Sequence, residues 1–393
     1  MMLDPNELAW LVQVRRHLHR HPELSGEEVV TAAYIQDCLT RLGLPFVAGI
    51  GGHGIVATIE GKAGNQNVGL RADMDALPIQ ERTGLPHASC HPGRMHACGH
   101  DGHVAILLGA AILLSRDRTF RGNIHLIFQP SEERYGGAGK MIADGLLHRF
   151  PIDHLFGLHN WPGLPTGQVV VHDGPVMAGA SDFTLRFSAD GAHAAMPHLT
   201  GDPLLAGGYF MVGLQQAVGR SVDPLDHAVA TVGSFNGGIA QNVIPQQATL
   251  AGTLRGYRTE TLAHLRGRVR AIAAASAEVA ACGWSLDFEE PSLAPVVNTA
   301  QQRDIMRSAA RKAGLDLGPV MPPSMCGDDF GDILAHIPGA YALLGNGPAR
   351  EEAGLHQPLY EFNDAVIPSG AHLLALAALI ALTEQRLPTS GAT

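Results

Sequence analysis

Between residues 180 and 291 the pattern of apolar runs changes, and that change bounds the fold more tightly than any other feature of the sequence. Upstream, strand-like runs at 54–59, 67–72, 123–128 and 154–158 alternate with helical stretches near 27–42, 101–115 and 137–147. Such alternation implies an α/β layer structure with crossover connections. Within 180–291 the order becomes strand 181–188, helix 202–218, strands 228–234 and 247–255, helix 259–282 and strand 284–289. That β-α-β-β-α-β order is the split βαβ unit of ferredoxin-like domains. Its outer ends lie close together, so it can sit as an insertion in a larger domain. Afterwards the α/β pattern resumes, with a helix near 299–313, a strand at 340–344 and an Ala/Leu-rich helix from about 368 to 385. A length of 393 residues, beyond what one core fills, agrees with two domains. The expected fold class is therefore α/β. Residues 1–179 and 292–393 form one discontinuous domain with a central, mostly parallel sheet flanked by helices, and residues 180–291 form an inserted α+β domain.

Several function classes are disfavoured at once. Lys and Arg number 27 against 37 Asp and Glu, and there is no basic block, so nucleic-acid binding is not expected. The five cysteines (Cys38, Cys90, Cys98, Cys282, Cys326) are scattered and odd in number, unlike a disulfide framework, which suits a reducing compartment. The first residues, MMLDPNELAW, lack a basic-then-apolar leader, and instead Asp4, Pro5 and Glu7 have the spacing of a capped helix start. The longest apolar run, 104–114, is about half a membrane span. These features together give the expectation of a soluble, cytoplasmic protein without a membrane partner.

Histidine is unusually abundant, at 21 residues, and it is the commonest metal ligand. His96, Cys98, His100 and His103 fall within eight positions, just before a helix. Asp73 and Asp75 follow one apolar strand, Glu132 and Glu133 a second, and His159 a third. In open α/β sheets ligands bind where strands end, so these groups converge on one rim. A mixed Cys/His/Glu set with spare carboxylates suits a two-metal hydrolytic site, in which one of the adjacent glutamates ligates and the other acts as general base. The spacing is not that of a zinc finger, and a hydrolase using Cys98 as nucleophile stays open on these residues alone.

The chain then resembles the metal-dependent amidohydrolases of the hippurate hydrolase, auxin-conjugate hydrolase and aminoacylase group, within the carboxypeptidase G superfamily. The motifs run almost its whole length: RRHLHRHPELSGEE (15–28), LRADMDALPI (70–79), MHACGHDGH (95–103), FQPSEE (128–133) and GLHNWPGLPTG (157–167). HAAMPH (193–198), NVIP (242–245), GTLRG (252–256) and LHQPLYEFND (355–364) complete them. The resemblance implies a catalytic domain built from both ends of the chain, with 180–291 as a lid and dimerisation domain in a homodimer or higher homo-oligomer. It implies two divalent ions, drawn from zinc, manganese, cobalt and nickel, on Cys98, His100, Glu133, His159 and His356. Glu132 would be the general base, His193 an oxyanion donor from the lid, and Asn242 and Arg255 the groups that hold substrate. One position departs from the pattern, since Asp328 stands where the family's Glu-Asp-Phe motif has Glu. His103 and His198 are left to supporting roles.

The implied reaction is hydrolysis of the amide bond of N-acyl or N-aroyl amino acids. A metallo-dipeptidase shares the same catalytic set and differs in recognising a free amine.

Overall fold

The computed structural model describes residues 2–134, 136–348 and 352–383. Two compact units emerge. One comprises Met1–Val176, Val297–Pro322 and Asp332–Thr393, the other Met177–Val296 and Pro323–Gly331.

The first unit is organised on an eight-stranded sheet. Its centre is parallel: Lys62–Asp73 lies between Arg121–Gln129 and His154–Trp161, and Gly339–Gly345 runs parallel beyond the last. Antiparallel strands finish both sides, with Gly54–Glu60 beside Arg121–Gln129 and Gln168–Val170 beside Gly339–Gly345. Parallel strands put their carboxyl ends on one edge, so Asp73, Gln129 and His159 arrive at the same rim. The central strands read as continuous apolar runs because helices cover both faces of such a sheet.

Local signals explain the helices. Helix Pro5–Arg20 begins at a reciprocal capping box, in which Asp4 Oδ1 accepts the Asn6 and Glu7 amides and Glu7 Oε2 accepts the Asp4 amide. It buries Leu11, Val14 and Leu18. Helix His100–Ser115 is buried all round, as its unbroken run of Val, Ile, Leu, Ala and Gly requires. The helical stretch Asp364–Ala381 has the length and apolarity of a membrane span, yet it sinks Ala371, Leu374 and Ala378 into the same core. The expected end of this helix, at about residue 385, lies outside the described residues.

Arg15 is wholly buried on the first helix. Its Nε donates to Asp364 Oδ1 at 2.7 Å, and its guanidinium also reaches Asp101 and His87. Beside it, burial opposes charge on His19, but Asp101, 2.8 Å away, outweighs that penalty and raises the imidazole to about 9.

The second unit holds a four-stranded antiparallel sheet in the order Ala228–Gly237, Gln247–Gly256, Gly179–Ser188, Gly283–Phe288. Helices Pro203–Gly219 and Thr259–Val279 pack on it through Phe210, Leu214, Leu265 and Val269 against Phe183, Leu185, Phe187 and Leu250. A short pair joins Ala192–His193 to Val243–Ile244. The segment 323–331, grouped by sequence with the flanking halves, packs in this unit because Ala178 N–H donates to the Ser324 and Cys326 carbonyls and Tyr257 donates to Pro323 O.

One expected span is divided. The helix near 137–147 is two, Gly137–Ala143 and Leu146–Arg149, broken where Gly145 adopts φ 87°. Strand Phe46–Ile50 escaped notice because three of its five residues are exposed and leave no apolar alternation.

Candidate metal centre

Helix His100–Ser115 begins immediately after Gly99, whose φ of 90° turns the MHACGH loop into the helix. A Cβ at Gly99 would run into the Asn160 amide and the Tyr360 hydroxyl, so close approach as well as backbone conformation requires glycine here. Those neighbours fix the loop. Asn160 Nδ2 donates to Cys98 O at 2.7 Å, and the Tyr360 hydroxyl donates to Asn160 Oδ1 at 2.6 Å.

Around that loop the structure gathers residues from four segments. The ligand atoms of Cys98, His100 and His159 lie within 4.8 Å of one another, as do those of Cys98, Glu133 and His356, and those of His100, Glu132 and Glu133. Cys98 therefore belongs to two of the three groups. Its Sγ stands 3.3 Å from His159 Nε2, and His356 Nε2 stands 3.4 Å from Glu133 Oε1. His356 is anchored through its amide, which donates to Ala97 O, and it takes a φ of 61°. Ser131, before the glutamate pair, has φ 57°. Left-handed backbone at non-glycine residues costs free energy and persists where surrounding contacts impose it.

Around Ser131 those contacts come from Asp75 and Glu28. The Asp75 carboxylate accepts the Glu132 amide at 3.1 Å, the Glu133 amide at 3.0 Å and the Ser25 hydroxyl at 2.6 Å. Glu28 Oε1 accepts the Ser131 amide at 2.7 Å. Asp75→Ala leaves those buried amides without an acceptor. It is expected to lower unfolding stability by about 2–4 kcal/mol and to depress turnover, read by urea titration and kcat, with Asp75→Asn intermediate.

Asp73 works on the other side. Arg71 Nη1 donates to its Oδ2 at 2.6 Å, and His103 Nδ1 lies 2.6 Å from its Oδ1. His103 Nε2 accepts the Asn160 amide at 3.1 Å, which leaves Nδ1 to donate to Asp73.

The electrostatics favour a cation. Burial disfavours charge on His100, yet Asp73, Asp75 and Glu133 together raise it to about 10. His159 is held well below its ordinary value, by burial first and then by His103, so it is neutral and able to ligate. His100 Nδ1 stands 3.3 Å from Asp75 Oδ1, while His100 Nε2 and Glu133 Oε1 face each other at 3.8 Å, buried and without a well-formed hydrogen bond, although buried polar atoms normally have one. A thiolate, imidazoles and carboxylates with unmet coordination fit divalent transition ions. The donor set satisfies that test.

The residues expected from the second unit lie in that unit. His193 and Asn242 line a cavity of about 700 Å³ with Gly191, Gly238 and Gln246. His193 Nδ1 accepts the Ala195 amide, so the ring proton sits on Nε2. Arg255 is half-buried on strand Gln247–Gly256, opposite Ala180 and Val229. Asp328 is buried, and its Oδ1 caps the Phe330 amide at 2.8 Å. The supports Asn160, Tyr360 and Glu28 were not singled out from sequence. The first two stand inside the GLHNW and LHQPLY motifs, a signal that could have found them, and Glu28 had none beyond ending its own motif.

Residues 69–380 match Peptidase family M20/M25/M40. The chain is 40% identical to an N-acetyl-L-cysteine deacetylase of Bacillus subtilis (strain 168), over 93% of this chain and 86% of that one. It is 38% identical to IAA-amino acid hydrolase ILR1-like 4 of Arabidopsis thaliana, over 97% and 87%. Among solved structures, a dinuclear metal-binding peptidase of the M20 family from Bacillus subtilis superposes with a TM-score of 0.84 at 31% identity, covering 96% of this chain and 99% of that one.

Proposed function

The chain belongs to peptidase family M20/M25/M40, and on that premise we propose that it hydrolyses N-acyl or N-aroyl amino acids to a carboxylic acid and a free amino acid. The observation that carries this reading is the Cys98 thiol shared between two ligand groups, with Glu132 beside them. The similar deacetylase and hydrolase named above have in common an acyl group joined to an α-amino acid.

Cys98, His100, Glu133, His159 and His356 would hold two divalent ions. When bound, these supply Lewis-acid polarisation of the scissile carbonyl and ease deprotonation of water. Glu132 accepts the proton of the attacking water and returns it to the leaving nitrogen, so one carboxylate serves both steps. The Asp75 clamp on its amide fixes where that carboxylate starts. In this reading the second unit is the lid: His193 donates from Nε2 to the developing oxyanion, and Asn242 and Arg255 bind the substrate's carbonyl and carboxylate. An arginine suits the latter because its planar fork pairs with a carboxylate in two bonds. The same unit would serve dimerisation. Strand Ala228–Gly237 forms an edge of its sheet, and Leu204, Leu205, Tyr209 and Val212 are exposed on helix Pro203–Gly219.

His193→Ala is expected to cut kcat by about 10²–10³ with a smaller change in KM and unchanged metal content, the pattern of a contact made mainly in the transition state. Unimpaired turnover removes His193 from the mechanism. The substrate class is tested by a turnover screen of N-acetyl, N-benzoyl and indole-acetyl amino acids against free dipeptides, with apo-protein reloaded separately with zinc, manganese, cobalt and nickel. Acylated substrates are expected to turn over and free dipeptides to fail. The reverse ranking assigns a dipeptidase.

A second reading has one observation in its favour. Cys98 Sγ lies 3.3 Å from His159 Nε2, a spacing that a thiolate–imidazole nucleophile also uses. That reading gives no role to Glu133 and His356, which crowd the same sulfur.

A further inference from the structure

A second cluster of ligating side chains lies in the first unit and shares no residue with the groups around Cys98. The ligand atoms of His21, Cys90 and His91 all lie within 4.8 Å of one another. Cys90 Sγ stands 3.2 Å from His21 Nδ1, and the His21 and His91 rings meet edge to face at 5.8 Å. In tetrahedral zinc sites, bonds of about 2.3 Å to sulfur and 2.0–2.1 Å to nitrogen place those atoms about 3.5 Å apart. The Cys90–His21 spacing is close to that, with the thiol also donating to Arg20 O at 2.9 Å.

Backbone contacts hold the three residues in place. His21 caps the end of helix Pro5–Arg20, and its amide donates to the His17 and Leu18 carbonyls. The Cys90 amide donates to Arg20 O at 2.9 Å, which ties the loop to the helix end beside His21. The His91 amide donates to Ser89 Oγ, and the Arg94 amide donates to His91 O. Cys90 and His91 are exposed, so an ion has an open path and water can complete the coordination.

We propose that His21, Cys90 and His91 bind one thiophilic divalent ion, zinc by preference, at a peripheral site separate from the catalytic centre. Such an ion pins the end of the first helix to the loop carrying His87, whose ring lies 3.2 Å from Arg15.

The test uses the full chain with its catalytic ions loaded. Iodoacetamide labelling is followed by peptide mass spectrometry, with and without zinc buffered in the micromolar range. Cys326, the other exposed cysteine among the described residues, is the internal control. Zinc is expected to slow Cys90 labelling about tenfold or more, because a coordinated thiolate is a poor nucleophile, and to leave Cys326 unchanged. His21→Ala and His91→Ala should each abolish the protection. Equilibrium dialysis should show one further equivalent of zinc per chain, which Cys90→Ser removes without changing turnover. Equal Cys90 labelling with and without zinc, or protection that survives both histidine variants, overturns the proposal.

Discussion

Glu132→Gln is expected to lower kcat/KM by about three orders of magnitude or more while the purified protein keeps its full metal content. The size of the effect follows from what the substitution removes. Glutamine is nearly isosteric, and the Glu132 amide still donates to Asp75, so the turn that presents the side chain is undisturbed. Cys98, His100, Glu133, His159 and His356 are untouched. Only the ability to accept a proton is lost, and the amide that replaces the carboxylate cannot hand one to the leaving nitrogen. The measurements are steady-state turnover of an N-acyl amino acid and elemental analysis of the same preparation. Near-normal activity at full occupancy would sink the general-base assignment.

Metal removal is expected to have a comparable effect. Dialysis against a strong chelator should bring turnover below detection, and readdition of a divalent ion should restore it. Cys98→Ser should lose metal more readily than it loses fold, because the soft thiolate shared by two ligand groups is replaced by a hydroxyl. A near-ultraviolet circular dichroism melt separates the two effects. The cysteine-nucleophile reading predicts the opposite pattern, in which chelation is harmless and alkylation of Cys98 is lethal. Cys98 is only 7% exposed, so brief alkylation labels Cys90 and Cys326 first and leaves a metal enzyme active. Retention of native metal affinity by the serine variant would mean that Cys98 is not a ligand.

Much of this site could be read in one dimension because its chemistry is concentrated where strands end. Asp73, Glu132, Glu133 and His159 each follow an apolar run, and the parallel centre of the sheet carries those ends to one edge. Cys98 and His100 are two apart at a helix start. His356 carries no such signal. It lies in an irregular segment, where its amide donates a hydrogen bond to Ala97 O, and only family resemblance pointed to it. The Asp75 clamp was equally opaque, since a carboxylate that accepts two amides from a distant turn looks in sequence like any turn-capping aspartate. The β-α-β-β-α-β order of the second unit was legible because its helices and strands have clear periodicities. The adherence of 323–331 to that unit was not, because it depends on backbone bonds in a segment without regular pattern. Glycine at 99 could be read as a turn, but its packing against Asn160 and Tyr360 needed the folded chain.

The hydrogen bond from Tyr360 to Asn160 joins positions 200 residues apart, and Arg15 reaches Asp364 across 349. On the ribosome, where chains grow at about 5–20 residues per second, the first gap alone represents roughly 10–40 seconds of synthesis. Throughout that interval Cys98 and His100 are already made, but His356 and the tyrosine that braces their loop are not. The buried guanidinium of Arg15 likewise waits for its last carboxylate. The centre is thus completed only once Tyr360 has been made, and a chain that stops between residues 160 and 355 carries a half-built thiol site to cellular surveillance.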